Sequence, residues 1–308
     1  MLKYRLIFGV MIVAAFVGII ALDVALAARW PRETLSAPAG TCIAVITVVI
    51  LPFALREMQQ LLASENVTIS MRICVVASIL CAIWPWLEQV ATSEVVRQLG
   101  PESPWHFLSR WFGTVKPHYL VPTVLAMSLV GAVIMHSRKQ RIDGAMANAG
   151  GSLLAIVYLG VLPSFLLPIV LTHGAWMMLA ICLVVKSADI GAYATGLTIG
   201  RHKLIPWLSP GKTVEGFIGG LALAAICGAI AAACFERFTW PQGLVAGLLL
   251  GAVGQLGDLF ESLLKRDAGV KDSGRVPGFG GILDILDSPL LAAPVAYWLL
   301  KLLVVVKP

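Results

Sequence analysis

Residues 216–235 read GFIGGLALAAICGAIAAACF, twenty positions without a charged side chain. A helix of about twenty apolar residues is long enough to cross the hydrocarbon core of a bilayer. The whole chain has this character, since 58% of its 308 residues are hydrophobic, 13% are charged and the mean hydropathy is +0.87. A soluble enzyme carries about twice that charged fraction. The sequence therefore predicts an all-α, polytopic integral membrane protein.

About nine apolar runs are candidates for membrane spans. The first run is too long for the core of a signal peptide, so we expect it to be retained. With the N-terminus in the cytoplasm, cytoplasmic segments hold 14 Lys and Arg residues against 8 on the opposite side, a bias that favours this orientation. The net charge of +6 then indicates a membrane face and no nucleic acid. The runs cover roughly 4–28, 39–55, 73–87, 119–136, 151–172, 175–199, 216–235, 243–257 and 289–306.

The distribution of polar residues divides the chain in two. Residues 1–150 are predicted to form N-terminal membrane helices with an interfacial loop from Glu88 to His118, and residues 151–308 a catalytic membrane domain. Lys186 and Asp189 lie three residues apart inside a predicted span of the second half. Because charges inside a membrane are costly, both are functional candidates, with a purely structural ion pair as the alternative.

Charged residues concentrate between the eighth run and the last one. Helical spacing places Asp258, Ser262 and Lys265 on one face of a helix that continues the eighth run. Carboxylates suit a hard divalent cation, and basic side chains suit phosphate groups, so the region has the composition needed for phosphoryl or nucleotidyl transfer. The candidate residues are Asp258, Ser262, Lys265, Arg266, Lys271, Asp272, Asp284 and Asp287.

A second polar segment reads Ser209-Pro210-Gly211-Lys212-Thr213-Val214-Glu215-Gly216. Within it, Gly211-Lys212-Thr213 resembles the last three residues of a P-loop. The full P-loop pattern requires glycine at position 206, where this chain has Pro206, so we reject that interpretation. The segment can still begin a helix, because Thr213 and Glu215 suit the N-terminal turn and the free backbone amides there suit an anion. Helix capping alone is the alternative interpretation.

Two groups of motifs resemble those of the phosphatidate cytidylyltransferase, or CDP-diacylglycerol synthase, family. Together they span about residues 186–289 in the order that this family has. The upstream group is Asp189-x-x-Ala192-Tyr193, Gly200-Arg201-His202-Lys203-Leu204 and Ser209-Pro210-Gly211-Lys212-Thr213-x-Glu215-Gly216. The downstream group is Ser262-Leu263-Leu264-Lys265-Arg266, Lys271-Asp272 and Pro277-Gly278-x-Gly280-Gly281-Ile282-Leu283-Asp284-x-x-Asp287-Ser288.

The resemblance implies an all-helical enzyme that joins CTP and phosphatidate to give CDP-diacylglycerol and pyrophosphate, with Mg²⁺. It implies a homodimer in the bacterial inner membrane with the active site facing the cytoplasm. The chemistry of this transfer assigns Asp258, Asp284, Asp287, Lys265 and Arg266 as catalytic residues. Asp258 and Asp284 are the leading predicted metal ligands, and Asp287 is the next. The implied substrate-binding residues are Asp189, Ser209, Lys212, Thr213, Glu215, Ser262, Lys271 and Asp272.

Two positions depart from the family pattern. Phe279 replaces the usual histidine, and Ile285 replaces the usual arginine.

A secondary transporter should show related halves, whereas the polar motifs here occupy only the second half. A CDP-alcohol phosphotransferase would need D-G-x-x-A-R, which does not occur in the sequence. A CTP-dependent kinase or nucleotidyltransferase acting on another membrane lipid requires the same charges and stays open.

Overall fold

The computed structural model describes residues 2–29, 39–92, 110, 119–138, 140, 142–235, 238–271, 273–274 and 280–305. The chain forms two compact units, Met1–Trp176 and Met177–Pro308. The sequence-based division fell after residue 150, so the segment 151–176 belongs with the N-terminal helices and not with the second unit. Most of the predicted interfacial loop, 93–109 and 111–118, lies outside the described residues.

Every regular element in the described part of the first unit is a helix or a helical turn. Helix α3 is central, since it packs against α2, α4, α5, α6 and the π-helical turn. That packing explains why residues beyond 150 stay with this unit. The elements are α1 (Leu2–Arg29), α2 (Thr41–Ser64), α3 (Met71–Thr92), α4 (Leu120–Ser137), α5 (Ala145–Ile156), a π-helical turn (Val157–Val161), a 3₁₀ turn (Pro163–Phe165) and α6 (Leu166–His173).

Asp23 caps a neighbouring helix of the first unit. Its buried carboxylate accepts hydrogen bonds from the backbone N–H groups of Gly40, at 2.7 Å, and Cys42, at 2.8 Å. These donors lie at the start of α2, where the first amides of a helix lack partners within the helix. The favourable interaction of a carboxylate with a helix N-terminus explains why an acidic residue is retained in an otherwise apolar helix.

The described part of the second unit consists of four long helices and one small hairpin. Helix α9 packs against both α8 and α10. A Cβ atom on Gly228 of α8 would collide with the backbone of Gly243 and Gly247 on α9, so these glycines allow the two helices to approach closely. The elements are α7 (Ala175–Ile199), β1 (Lys203–Ile205), β2 (Ser209–Thr213), α8 (Val214–Cys234), α9 (Trp240–Asp267) and α10 (Ile282–Val305).

Eight helices in the described part of the chain are long and apolar enough to cross a membrane. They coincide with the second to ninth predicted runs, and α1 coincides with the first. The all-α, polytopic fold class is therefore confirmed, and β1 and β2 are a small departure from it. The eight spans are Thr41–Ser64, Met71–Thr92, Leu120–Ser137, Ala145–His173, Ala175–Ile199, Val214–Cys234, Trp240–Asp267 and Ile282–Leu303.

Candidate active site

One cavity in the second unit collects residues of the upstream group of motifs together with Asp258 of α9. Its volume is about 460 Å³, and α7, β2, α8 and α9 contribute to its lining. Sequence analysis assigned these residues to a site although they are as far as 69 positions apart in the chain. The predicted site residues that line the cavity are Asp189, Ser209, Lys212, Thr213 and Asp258.

The β1–β2 hairpin positions the phosphate-binding candidates at the start of α8. The two strands are antiparallel, with Lys203 opposite Thr213 and Ile205 opposite Ser209. Thr213 is the N-cap of α8, and its hydroxyl accepts a hydrogen bond of 3.1 Å from the backbone N–H of Gly216. The predicted helix start is therefore present. Ser209, Lys212 and the first turn of α8 face one cavity, where a lysine and a helix N-terminus together favour an anion.

Glu215 fixes the connection between α7 and the hairpin. Its carboxylate accepts hydrogen bonds from the backbone N–H groups of Arg201 and His202, and it also pairs with the His202 ring. Glu215 is not among the residues that line the cavity. The structure therefore gives this predicted substrate-binding residue a role in holding the local backbone.

Three carboxylates form the one group of possible metal ligands found among the described residues. Asp258 and Glu261 are one turn apart on α9, Asp287 comes from α10, and one oxygen atom of each lies within 4.8 Å of the other two. Glu261 is only 1% exposed, and its Oε1 atom has no hydrogen-bond partner in the described part of the chain. A buried carboxylate oxygen without a donor is costly, and a cation would satisfy it. This carboxylate cluster, Asp258, Glu261 and Asp287, therefore fits a divalent cation.

Asp284 occupies a different place from the other acids. One oxygen of its carboxylate pairs with Lys265. The other oxygen accepts hydrogen bonds from the Ser273 hydroxyl, at 2.7 Å, and from the Gly281 backbone N–H, also at 2.7 Å. Asp284 thus joins the end of α9 to the start of α10. It does not belong to the carboxylate cluster, and its predicted role as a metal ligand remains a prediction.

Lys186 of α7 contacts one carboxylate on its own helix and one on α10. Its ammonium group lies 3.0 Å from Asp287 Oδ1 and 3.3 Å from Asp189 Oδ2. The Ser288 hydroxyl donates to the same Asp189 oxygen at 3.3 Å. The predicted pairing of Lys186 with Asp189 is therefore present, together with a second partner from α10.

The balance of charges at the site favours a divalent cation. Three lysines pair with five carboxylates, which leaves a net charge of −2 when all eight groups are ionised. An excess of buried or half-buried negative charge is unfavourable unless it is compensated. One divalent cation would compensate it. The lysines are Lys186, Lys212 and Lys265, and the acids are Asp189, Asp258, Glu261, Asp284 and Asp287.

Arg266, Ser262 and Lys271 are not among the residues that line the cavity. Arg266 donates from Nε to the Leu208 carbonyl at 3.4 Å, so it joins the end of α9 to the hairpin. Ser262 is half-buried on α9, and Lys271 is exposed. Asp272 and Phe279 lie outside the described residues.

Sequence reasoning missed two features of this site. Glu261 was not selected, although its position three residues after Asp258 and four before Lys265 already placed all three near one helical face. The contact between Lys186 and Asp287 was also missed, because 101 residues separate the two and no local pattern predicts which helices pack together.

The fold and the site together define a multi-pass helical membrane protein with a charged cavity suited to a metal and phosphate groups. The profile of the cytidylyltransferase family matches residues 3–303. The chain therefore belongs to this family, which confirms the resemblance seen in the motifs.

Curated relatives carry the comparison further. The chain is 42% identical to the uncharacterized protein YnbB of Escherichia coli (strain K12) over 129 residues, 42% of this chain and 43% of that protein. It is 42% identical to the phosphatidate cytidylyltransferase of Bacillus subtilis (strain 168) over 153 residues, 48% and 57% of the two chains. For the phosphatidate cytidylyltransferase of Synechocystis sp., the identity is 36% over 221 residues, 62% and 74% of the two chains. The chain spans about half the length of the first two relatives.

Proposed function

We propose that this protein is a phosphatidate cytidylyltransferase, which transfers CMP from CTP to phosphatidate. The observation that carries the proposal is the single cavity in which Lys212, Thr213 and the start of α8 face Asp258 of the carboxylate cluster. An anion-binding surface and a cation-binding surface meet there, as transfer from a metal-bound nucleotide requires. Relatives named phosphatidate cytidylyltransferase support the choice of substrates.

The reaction joins two anions, so its barrier is chiefly electrostatic. An oxygen of the phosphatidate phosphate attacks the α-phosphorus of CTP, a new P–O–P bond forms, and the bond between the α- and β-phosphates breaks to release pyrophosphate. The attacking phosphate is already ionised at neutral pH, so no strong general base is needed. The protein's main tasks are therefore to reduce charge repulsion and to hold the reacting groups in line.

The residues of the cavity and of the adjoining carboxylate cluster divide these tasks between them. Lys212 and the free amides at the start of α8 are placed to hold the triphosphate, with Ser209 and Thr213 beside them. Asp258, Glu261 and Asp287 would hold Mg²⁺, since one oxygen atom of each lies within 4.8 Å of the other two. Bound there, Mg²⁺ would neutralise phosphate charge and stabilise the leaving pyrophosphate. Lys265 pairs with Glu261 at 2.9 Å and so offsets part of the cost of burying this carboxylate.

We further propose that the protein lies in the bacterial cytoplasmic membrane with this cavity facing the cytoplasm. The excess of Lys and Arg in the loops that include the motifs supports this orientation. In this arrangement CTP reaches the cavity from the cytoplasm and phosphatidate from the bilayer. The homodimer implied by the family resemblance stays a prediction, which the mass of the detergent-solubilised protein would test.

Isotope transfer tests the proposed reaction and separates it from the lipid kinase alternative. Purified protein in mixed micelles with phosphatidate and Mg²⁺ is given CTP labelled with ³²P at either the α- or the γ-phosphate. Cytidylyl transfer moves only the α label into lipid, and a kinase moves only the γ label. Asp258→Asn is the matched control and should transfer neither. Absence of lipid labelling from both nucleotides would overturn the proposal and favour a non-enzymatic protein such as a transporter.

A further inference from the structure

Lys212 and Asp258 neutralise each other within the cavity. The ammonium group of Lys212, on β2, lies 2.7 Å from Asp258 Oδ2, on α9. Both residues line the cavity, and their side chains are 24% and 31% exposed. The residue proposed to hold the triphosphate therefore contacts a carboxylate proposed to hold the cation.

Lys212 is the lysine of this site that is released most easily. Lys186 and Lys265 each contact two carboxylates, whereas Asp258 is the single ion-pair partner that Lys212 has among the described residues. Lys212 also belongs to a two-stranded hairpin, whereas Lys186 and Lys265 are anchored in long helices. A ligand that competes for one member of the Lys212–Asp258 pair therefore disturbs few other contacts.

The Lys212–Asp258 ion pair makes the binding of either ligand alone less favourable. A cation that binds Asp258 leaves the Lys212 ammonium group without its counterion. A triphosphate that binds Lys212 leaves the Asp258 carboxylate without its counterion. Removal of one partner from a half-buried pair leaves an uncompensated charge. When cation and triphosphate bind together, both charged side chains gain new partners. By linkage, each ligand then strengthens binding of the other by the same factor.

We infer that Lys212 is an internal counterion that makes divalent cation and triphosphate bind cooperatively, so the site selects the metal-bound nucleotide over either component. The inference rests on the proposed function and deepens it. Lys212 thereby determines which form of the nucleotide is accepted, in addition to contacting phosphate. The same exchange weakens the binding of a lone metal ion in the cavity.

Binding of each ligand alone tests this exchange without measuring activity. Mn²⁺ binding to full-length protein in detergent is followed by the EPR signal of free Mn²⁺, without nucleotide. Lys212→Met should bind Mn²⁺ about threefold to tenfold more tightly than the unmodified chain, because the competing cation is gone. Lys212→Arg, which keeps the charge, should bind it as weakly as the unmodified chain. Lys203→Met removes an exposed charge from the neighbouring strand and should change the affinity less than twofold.

The reciprocal arm measures CTP binding by equilibrium dialysis in EDTA. Asp258→Asn should bind metal-free CTP about threefold to tenfold more tightly than the unmodified chain, because Lys212 is no longer paired. Asp267→Asn, at an exposed carboxylate of the same helix, is the control and should have little effect. Weaker or unchanged Mn²⁺ binding by Lys212→Met would overturn the inference. The isotope experiment would still decide the proposed function, because it needs only the unmodified protein.

Discussion

Lys186 and Asp287, 101 residues apart in the chain, are joined by an ion pair of 3.0 Å. The contact ties α7 to the start of α10 and sets Asp287 beside Asp258 and Glu261. Asp287 is nearly buried, so its charge depends on this lysine for compensation. The charged cavity is thus held together by contacts between distant segments.

Loss of Lys186 should damage both stability and turnover. Lys186→Met leaves Asp287 and Asp189 with two negative charges and no shared cation, which we expect to lower the free energy of unfolding by about 1–3 kcal/mol. Turnover should fall at least about tenfold, because Asp287 loses the partner that orients it. Thermal unfolding in detergent and CDP-lipid formation check the two effects. Lys186→Arg should restore most of both, and equal damage by Arg and Met would argue against an ion-pair role.

Close packing at Gly257 should be needed for the geometry of the carboxylate cluster. A Cβ atom at Gly257 would lie 2.7 Å from the Asp287 carbonyl oxygen and 3.1 Å from the Ser288 Cα. Gly257→Ala must therefore push the backbone of α10 away from α9, and we expect weaker Mn²⁺ binding and at least about tenfold lower turnover. Gly150→Ala, at a helical glycine with open space around it, is the matched control. Normal Mn²⁺ binding by Gly257→Ala would contradict this account of the packing.

Glu261 and Asp284 should differ in how their loss affects metal dependence. Glu261→Gln removes a charge from the carboxylate cluster, so the Mg²⁺ concentration for half-maximal turnover should rise about tenfold. Asp284→Asn weakens the link to Lys265, Ser273 and Gly281, so it should chiefly lower thermal stability. Mg²⁺ titrations of turnover, with unfolding measured in parallel, separate the two. If only Asp284→Asn shifted the Mg²⁺ requirement, the predicted ligand set with Asp284 would be correct and Glu261 would be structural.

Asp23 should matter for stability alone. Asp23→Ala leaves the backbone amides of Gly40 and Cys42 without their acceptor, which should lower the free energy of unfolding by about 1–2 kcal/mol. Turnover per folded molecule should not change, because this cap belongs to the first unit and the cavity to the second. Unfolding in detergent and turnover of the folded fraction check both statements. A large fall in turnover of the folded fraction would mean that the cap affects the active site.

Local patterns in the sequence predicted the helices and several of the charged and polar residues that line the cavity. Apolar runs predict spans because the bilayer requires them, and hydroxyl and acidic residues at 213–215 predict the start of α8. The eighth run was correctly extended through Arg266 as helix. Asp189, Lys212 and Asp258 were selected for the same site and line one cavity.

The remainder depends on packing between helices, which periodicity does not specify. The spacing of Asp284 and Asp287, three residues apart, suggested that both bind the same metal ion. Two acids on adjacent turns of one helix can also pair with different side chains, and that is the case here. Asp284 pairs with Lys265 of α9, and Asp287 pairs with Lys186 of α7. Only the tertiary arrangement shows that Glu261 fills the place expected for Asp284 in the carboxylate cluster.

Pyrophosphate release by the purified protein tests the central claim most directly. The assay combines mixed micelles, phosphatidate, Mg²⁺ and CTP, with parallel reactions that omit the lipid or replace CTP by ATP. We predict release only when phosphatidate and CTP are both present, with one CDP-lipid formed for each pyrophosphate. Failure to release pyrophosphate from folded protein under these conditions, or release that does not need phosphatidate, would contradict the assignment of cytidylyl transfer to this cavity.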